Sequence, residues 1–437
     1  MRLYSLLVLV LICLPSGAQD LPRQNIENQP TSLSQPASAS TTAYTLPPDK
    51  LEKAKALYTL EGRLRIIDPI YSVLILLGLL FFGIAARYRN WAESVSRWRF
   101  VQAFIFVPLL SITISVLGLP LRIYAHHVSL QYGLSVQGWS SWFVDFLKGE
   151  GVSSVVMVVL LWILTTVIRK SPRHWWFYSW LAMLPILVFL VFVAPVIIDP
   201  IFNKFEPLEQ KQPRLVEAIE TVVQRGGLSI PRSRMYEMKA SEKVTTLNAY
   251  VTGFGSSKRV VVWDTTIEKM TTPETLFVFG HEMGHYVLNH IIYGLILGAI
   301  GLLIGLYLIY RLSGWVLKRF QQRWHIRELG DWAALPMIFL LFSILGFFAE
   351  PITNVVSRHF EHEADVYGLE VTHGINPNSQ EAAAHAFQVL GELSLDYPYP
   401  SKFVVLWYYD HPAISDRVRF AHEYDPWSKG QAPKYVK

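Results

Sequence analysis

Six apolar stretches, each long enough to cross a bilayer as a helix, constrain this 437-residue chain more than anything else in it. They run at about 69–86, 101–121, 153–168, 177–198, 291–310 and 333–355. Inside lipid the backbone finds no water, so helices satisfy its hydrogen bonds within each segment. The fifth stretch carries Gly294, Gly298, Gly301 and Gly305, a spacing of small residues that lets another helix approach closely. With 51% of residues hydrophobic and 17% charged, the fold class is mainly α, a multi-span membrane helical bundle.

The stretches divide the rest of the chain. Residues 1–18 read as a signal peptide: Arg2, an apolar run from Leu6 to Leu14, then Ser16-Gly17-Ala18 as a cleavage site. A short uncleaved anchor is the alternative. Residues 19–66 combine a Ser-, Thr-, Pro- and Gln-rich disordered tether with a charged lead-in helix from Leu51 to Arg65. Residues 67–200 hold four spans, 201–290 a soluble segment, 291–355 two further spans, and 356–437 a second soluble segment. In the first soluble segment Leu215–Arg225 is helical. Tyr250-Val251-Thr252 and Val260–Trp263 are strands, joined by a turn over Gly253-Phe254-Gly255-Ser256-Ser257. The single cysteine, Cys13, excludes an internal disulfide framework and thiolate zinc ligands. No basic, aromatic-interleaved patch stands apart from the membrane loops, so nucleic acid is excluded as a partner.

Basic residues in the short loops orient the bundle. One side holds Arg87, Arg89, Arg97 and Arg99, then Arg169, Lys170 and Arg173, then Arg311, Lys318, Arg319, Arg323 and Arg327. The opposite short loop, about 123–151, holds only Lys148. The first side is therefore expected in the cytoplasm and both soluble segments outside, facing the periplasm if this is a bacterial inner membrane. The reverse orientation would turn them to the cytosol.

The first soluble segment ends in Gly280-His281-Glu282-Met283-Gly284-His285, which reads H-E-x-x-H. On a helix, His281 and His285 share a face and can point imidazole nitrogens at one metal ion. Glu282 lies beside them, placed to take a proton from an attacking water. Zinc accepts imidazole ligands and keeps a position open for water, so one Zn2+ is the expected cofactor. A third protein ligand is needed, and Glu361 is the best candidate. The chain enters the membrane near Ile291 and returns near Val355; His285 and Glu361 each stand six residues from those points. Six residues are about 9 Å of helix at 1.5 Å per residue, so both reach the same height above the bilayer. Asp365, one turn after Glu361, can orient a ligating histidine. His359, His362 and Glu363 are weaker candidates; both histidines point off the Glu361 face. The two soluble segments would then form one zincin-type α/β metalloprotease domain, inserted between spans and completed by the C-terminal region.

Two further stretches carry chemistry. His411 and Arg417, in Asp410-His411-Pro412-Ala413-Ile414-Ser415-Asp416-Arg417, can donate to the oxyanion of a tetrahedral intermediate. Asn248, Ala249 and Tyr250 can form an edge strand that pairs with an extended peptide.

These pieces resemble the integral-membrane zinc metalloproteases of the type-1 CAAX prenyl protease family, and more distantly the HtpX-type quality-control proteases. The resemblance rests on Pro200–Leu208, Asn248–Gly253, the H-E-x-x-H motif with His290 five residues beyond, Ser357–Asp365, and His411-Pro412 with Arg417. It implies zinc ligands His281, His285 and Glu361, Glu282 as general base, and a substrate-binding strand at Asn248. It also places Asp365 and His290 around the ligands and His411 and Arg417 against the transition state. The expected substrate is a membrane-associated or lipidated peptide or protein. Two other readings stay open at this stage: a quality-control protease for damaged membrane proteins, and a non-enzymatic membrane metal-binding or transport protein.

Overall fold

The computed structural model describes residues 43–253 and 258–436. The expected signal peptide, most of the tether and the tip of the Gly253–Ser257 turn lie outside the described residues. The chain opens with α1 (Pro48–Phe81), a short α2 (Ile84–Val95), α3 (Arg99–Gln131), α4 (Trp139–Lys170), α5 (Trp175–Phe192) and α6 (Ala194–Phe202). The first soluble segment holds β1 (Phe205–Pro207), α7 (Leu208–Lys211), α8 (Pro213–Arg225), β2 (Met235–Met238), β3 (Ala249–Thr252), β4 (Arg259–Trp263), α9 (Asp264–Lys269) and α10 (Thr272–Val287). Then come α11 (His290–Phe320), α12 (Leu335–Thr372), α13 (Ser379–Leu393), α14 (Lys402–Tyr408) and α15 (Ile414–Glu423).

Among the described residues, six helices are long and apolar enough to span a membrane: α1, α3, α4, α5, α11 and the helix that contains α12. Their number and order are those expected; most helices run past the expected ends, and two stop short of them. The first span stops at Phe81, because Gly83 takes a left-handed conformation (φ 63°) and the chain restarts as α2. The fourth ends at Phe192 instead of running to 198. Pro195 has no N–H to give and crowds the preceding turn, so the chain bends at Val193 into α6.

The most apolar window of the last span is 61% buried, against 11–28% for the other five. It is thus the inner helix of the bundle. One apolar core fills the membrane region, with Leu76, Phe106, Leu161, Leu306, Trp332 and Phe339 buried in it. A second core, with Val216, Ile219, Phe277, Tyr367 and Phe387, fills the soluble part. Helix α12 runs 38 residues from one core to the other despite Pro351 in its interior, about 57 Å at 1.5 Å per residue.

The sheet has strand order β1-β2-β4-β3. The expected hairpin is present, with Ala249 opposite Val262 and Thr252 opposite Arg259. Strands β1 and β2 are additions: β2 runs parallel to β4 and antiparallel to β1. The expected tether ends docked. Tyr44 is buried over Gly391, its hydroxyl donates to the Asp396 carbonyl (2.9 Å), and the Thr45 carbonyl accepts from Gln388 (2.6 Å). The basic loops converge at one end of the bundle: Arg89 on Asp331 (2.5 Å), Arg327 on Glu93 (2.9 Å), and Arg99 on the Gly330 carbonyl (3.1 Å).

Candidate metal centre

Helix α10 is built to start and stop at fixed points. Thr271 and Glu274 form a capping box, the Thr271 N–H donating to Glu274 (2.9 Å), with Pro273 in the first turn. His385 on α13 holds the other Glu274 oxygen at 2.6 Å. At the far end Asn289 adopts a left-handed conformation (φ 60°), and His290 begins the next span directly. That turn folds His290 back over His285, their Nδ1 atoms 3.1 Å apart.

Glycines inside the motif let α12 come close. A Cβ on Gly280 would meet Val371 at 2.8 Å, and one on Gly284 would meet Tyr367 at 3.1 Å. From the other side, a Cβ on Gly368 would lie 3.0 Å from the His281 backbone nitrogen. This close contact carries Glu361 to the histidines. Nε2 of His281 is 3.3 Å from Glu361 Oε2, Nε2 of His285 is 3.4 Å from Oε1, and the two Nε2 atoms are 3.2 Å apart. The sequence placed these three side chains together, and the structure brings them together; their donor atoms all lie within 4.8 Å of one another.

Around them sits a buried polar shell. Asp365 Oδ1 lies 2.8 Å from His281 Nδ1. Arg417 grips the same carboxylate with both arms, Nη2 to Oδ1 at 2.6 Å and Nε to Oδ2 at 3.0 Å, and lies over the Phe387 ring. His411 reaches the pocket from the loop after α14, its Nε2 3.3 Å from Glu361 Oε2. That loop is fixed because Arg358 donates to the Val405 carbonyl (2.8 Å) and Asn354 to the Trp407 carbonyl (2.6 Å). Asp410 holds His411 Nδ1 at 2.9 Å.

Charge follows from this arrangement. Burial works against a charge on His281, yet Asp365 and Glu361 raise its pKa to about 10. Burial raises Glu282 above the usual carboxylate range, with His281 and His285 opposing it. His411, also desolvated, is lifted to about 9 by Glu361 and Asp410.

Other expected residues sit differently. His359 is exposed and His362 packs on Phe420, so neither faces the pocket. The backbone of Asn248 is pinned by the Thr266 hydroxyl, at 2.9 Å from its N–H and 2.8 Å from its carbonyl. Ala249 is buried, and the Tyr250 hydroxyl turns toward Asp199 (3.4 Å) rather than toward the histidines. Sequence reasoning missed Asp410 and the three glycines. Gly280 and Gly284 stand four apart inside the motif itself, a small-residue spacing that was there to be read.

The donor set fits a metal ion. Nε2 of both histidines and a carboxylate oxygen converge on one point. Glu361 Oε2 is buried with no hydrogen-bond partner among the described residues. Such a cluster of acceptors is satisfied by a cation, and a divalent ion would take the place of the proton that the two carboxylates hold on His281.

Comparison with known proteins agrees. The profile of peptidase family M48 matches residues 209–425, and that of the CAAX prenyl protease N-terminal region, with five membrane helices, matches 31–204. The uncharacterized metalloprotease YhfN of Bacillus subtilis is 37% identical over 347 residues, covering 79% of each chain. The chain belongs to peptidase family M48. Another relative, CAAX prenyl protease 1 of Saccharomyces cerevisiae, is 26% identical over 333 residues, covering 72% of this chain and 71% of that one. The fold is that of the crystal structure of S. mikatae Ste24p, with a TM-score of 0.74 at 21% identity over 89% of this chain and 92% of the other. This M48 protein is therefore a multi-pass membrane metalloprotease. Among the described residues of 31–204 it has four long apolar helices and two short ones, α2 and α6.

Proposed function

We propose that this M48 protein is a zinc endopeptidase that cuts membrane-associated or lipidated peptides and proteins at the outer face of a bacterial inner membrane. The observation that carries the reading is the convergence of His281, His285 and Glu361, with the half-buried Glu282 between the histidines in sequence. These three residues would hold the metal. When bound, zinc would polarise the scissile carbonyl and acidify a water.

The chain's own residues do the rest. Glu282, its proton affinity raised by burial, takes a proton from the attacking water and hands it to the leaving amine. His411, kept cationic by Glu361 and Asp410, directs an N–H into the pocket and steadies the oxyanion. Arg417 spends its donors on Asp365, so it acts as a positioning residue that holds Asp365 against His281. Strand β3 lies at the edge of the sheet, and in this reading an extended peptide adds beside Ala249 and Tyr250. Asn248, its backbone already taken by Thr266 and Trp263, fixes the start of the strand.

The basic loops support the orientation, since they gather at one end of the bundle while the histidines stand beyond the other. Relatives carry the name CAAX prenyl protease 1. Prenylated CAAX substrates are cytosolic, so an outward site takes other membrane-associated substrates. The test uses purified wild type and Glu282→Gln, each offered a prenylated peptide and an unfolded membrane protein, with metal content measured alongside. Glu282→Gln should keep its metal and lose cleavage of both. Undiminished cleavage by that variant would remove the reading.

A further inference from the structure

Three residues beyond the ligands form a chain that ends in the C-terminal tail. His290 is buried, and its ring stacks on Phe360 with centroids 4.5 Å apart and planes 10° from parallel. Its Nδ1 faces His285 Nδ1 at 3.1 Å, and its Nε2 faces Glu363 Oε2 at 3.4 Å. The other Glu363 oxygen accepts from the Tyr435 hydroxyl (2.6 Å), with Lys434 Nζ 3.5 Å away. The tail is itself anchored: the backbone N–H groups of Tyr435 and Val436 donate to Glu370 at 2.6 and 2.9 Å, and Lys434 does the same.

Proton bookkeeping allows one arrangement along this line. To offer a lone pair at Nε2, where Glu361 and His281 converge, His285 must carry its hydrogen on Nδ1. That hydrogen can only be given to His290 Nδ1, which must then be bare. His290 therefore carries its own hydrogen on Nε2, the nitrogen that faces the Glu363 carboxylate. The His285–His290 and Tyr435–Glu363 contacts are at hydrogen-bond distance, and the middle link, His290 Nε2 to Glu363, is an ion-pair contact at 3.4 Å without hydrogen-bond geometry.

We propose that Tyr435, Glu363 and His290 form a positioning relay that fixes the tautomer and ring plane of His285, so that the C-terminal tail helps set the metal affinity of the site. The relay rests on His285 being a metal ligand, as argued above. His281 has its own orienting carboxylate in Asp365; His290 and Glu363 supply the equivalent for His285.

The experiment measures zinc binding to full-length protein in nanodiscs, on the Glu282→Gln background. Chelator-stripped protein is titrated with Zn2+ against a competing chromophoric chelator, and the melting temperature of the stripped form controls for folding. His290→Phe keeps the stack on Phe360 but cannot accept from His285; it should weaken zinc binding by roughly 10- to 100-fold. His290→Asn, which restores an acceptor near the Nδ1 position, should recover most of that loss. Glu363→Ala should weaken binding less than His290→Phe, and Tyr435→Phe by a few-fold. Wild-type affinity in His290→Phe, or equal loss in His290→Asn and His290→Phe, would overturn the relay. Unchanged affinity in Tyr435→Phe alongside a loss in Glu363→Ala would overturn the part given to the tail. If the parent binds no zinc that Glu361→Gln abolishes, the ligand assignment fails first and takes the relay with it.

Discussion

The two ends of this bundle each bury charge, and they do it differently. At the basic end Arg89 and Asp331 are almost fully buried, with side-chain exposures of 6% and 3%. Within that pair every group is used. Arg89 donates to Asp331, to the His325 carbonyl and to Asn90, and Asp331 accepts from the N–H groups of Arg327 and Ala333. At the other end Asp365 and Arg417 are just as buried and just as well paired. Glu361 Oε2 beside them, however, accepts no hydrogen bond among the described residues and meets Nε2 of His281 and of His411 only at ion-pair distance, 3.3 Å. A buried pair with every group satisfied holds one geometry; a carboxylate oxygen held only at ion-pair distance from two imidazoles can give that place to a cation.

The largest test of that contrast is Glu282→Gln. Turnover should fall by about 10²–10⁴-fold with zinc content unchanged, read from peptide cleavage and metal analysis on the same sample. At the closed end, Asp331→Ala strands a buried guanidinium and should cost about 3–5 kcal/mol of stability in chemical unfolding. Zinc affinity of the folded fraction should not move. If it does, the two ends are coupled and the contrast is false. Gly368→Ala falls between the two regions in effect. Its Cβ would meet the His281 backbone at 3.0 Å, which cannot swing aside, so α12 must shift. A loss of about 1–3 kcal/mol with weaker zinc binding is expected.

The smallest effect is a pH dependence at the start of α10. The hydrogen bond His385 donates to Glu274 raises the pKa of His385, so its contribution is complete below the unfolded value near 6.5 and is lost as pH rises through the folded one. Burial works to raise Glu274, but His385 and the Thr271 N–H outweigh it and leave its pKa lowered. That contribution is present above the unfolded value near 4.5 and is lost as pH falls through the folded one. Since His385 is more than half exposed, the pair adds no more than about 1 kcal/mol. Unfolding of wild type and His385→Gln from pH 5 to pH 9 should converge at the alkaline end. Parallel curves would remove the pair from the stability of α10.

Much of this was legible in the residues because the constraints were geometric. Six apolar runs count spans, and equal distances of His285 and Glu361 from the membrane pair them across 75 intervening residues, from Tyr286 to Phe360. Strands β1 and β2 were not legible. They are three and four residues long, one contains Pro207, and β2 reaches β4 only by a parallel crossover. The docking of Tyr44 and of Lys434–Val436 had no local signal either. Both depend on partners far along the chain, Gly391 and Glu370, that only the folded protein brings near.

Everything chemical depends on Glu361 closing a site begun by two imidazoles on another helix. A crystal of the zinc-loaded protein, measured on both sides of the zinc absorption edge, tests this directly. One anomalous peak should lie about 2.0–2.2 Å from His281 Nε2, His285 Nε2 and a Glu361 oxygen. A peak elsewhere, or Glu361 turned away from an occupied pair of histidines, would contradict it.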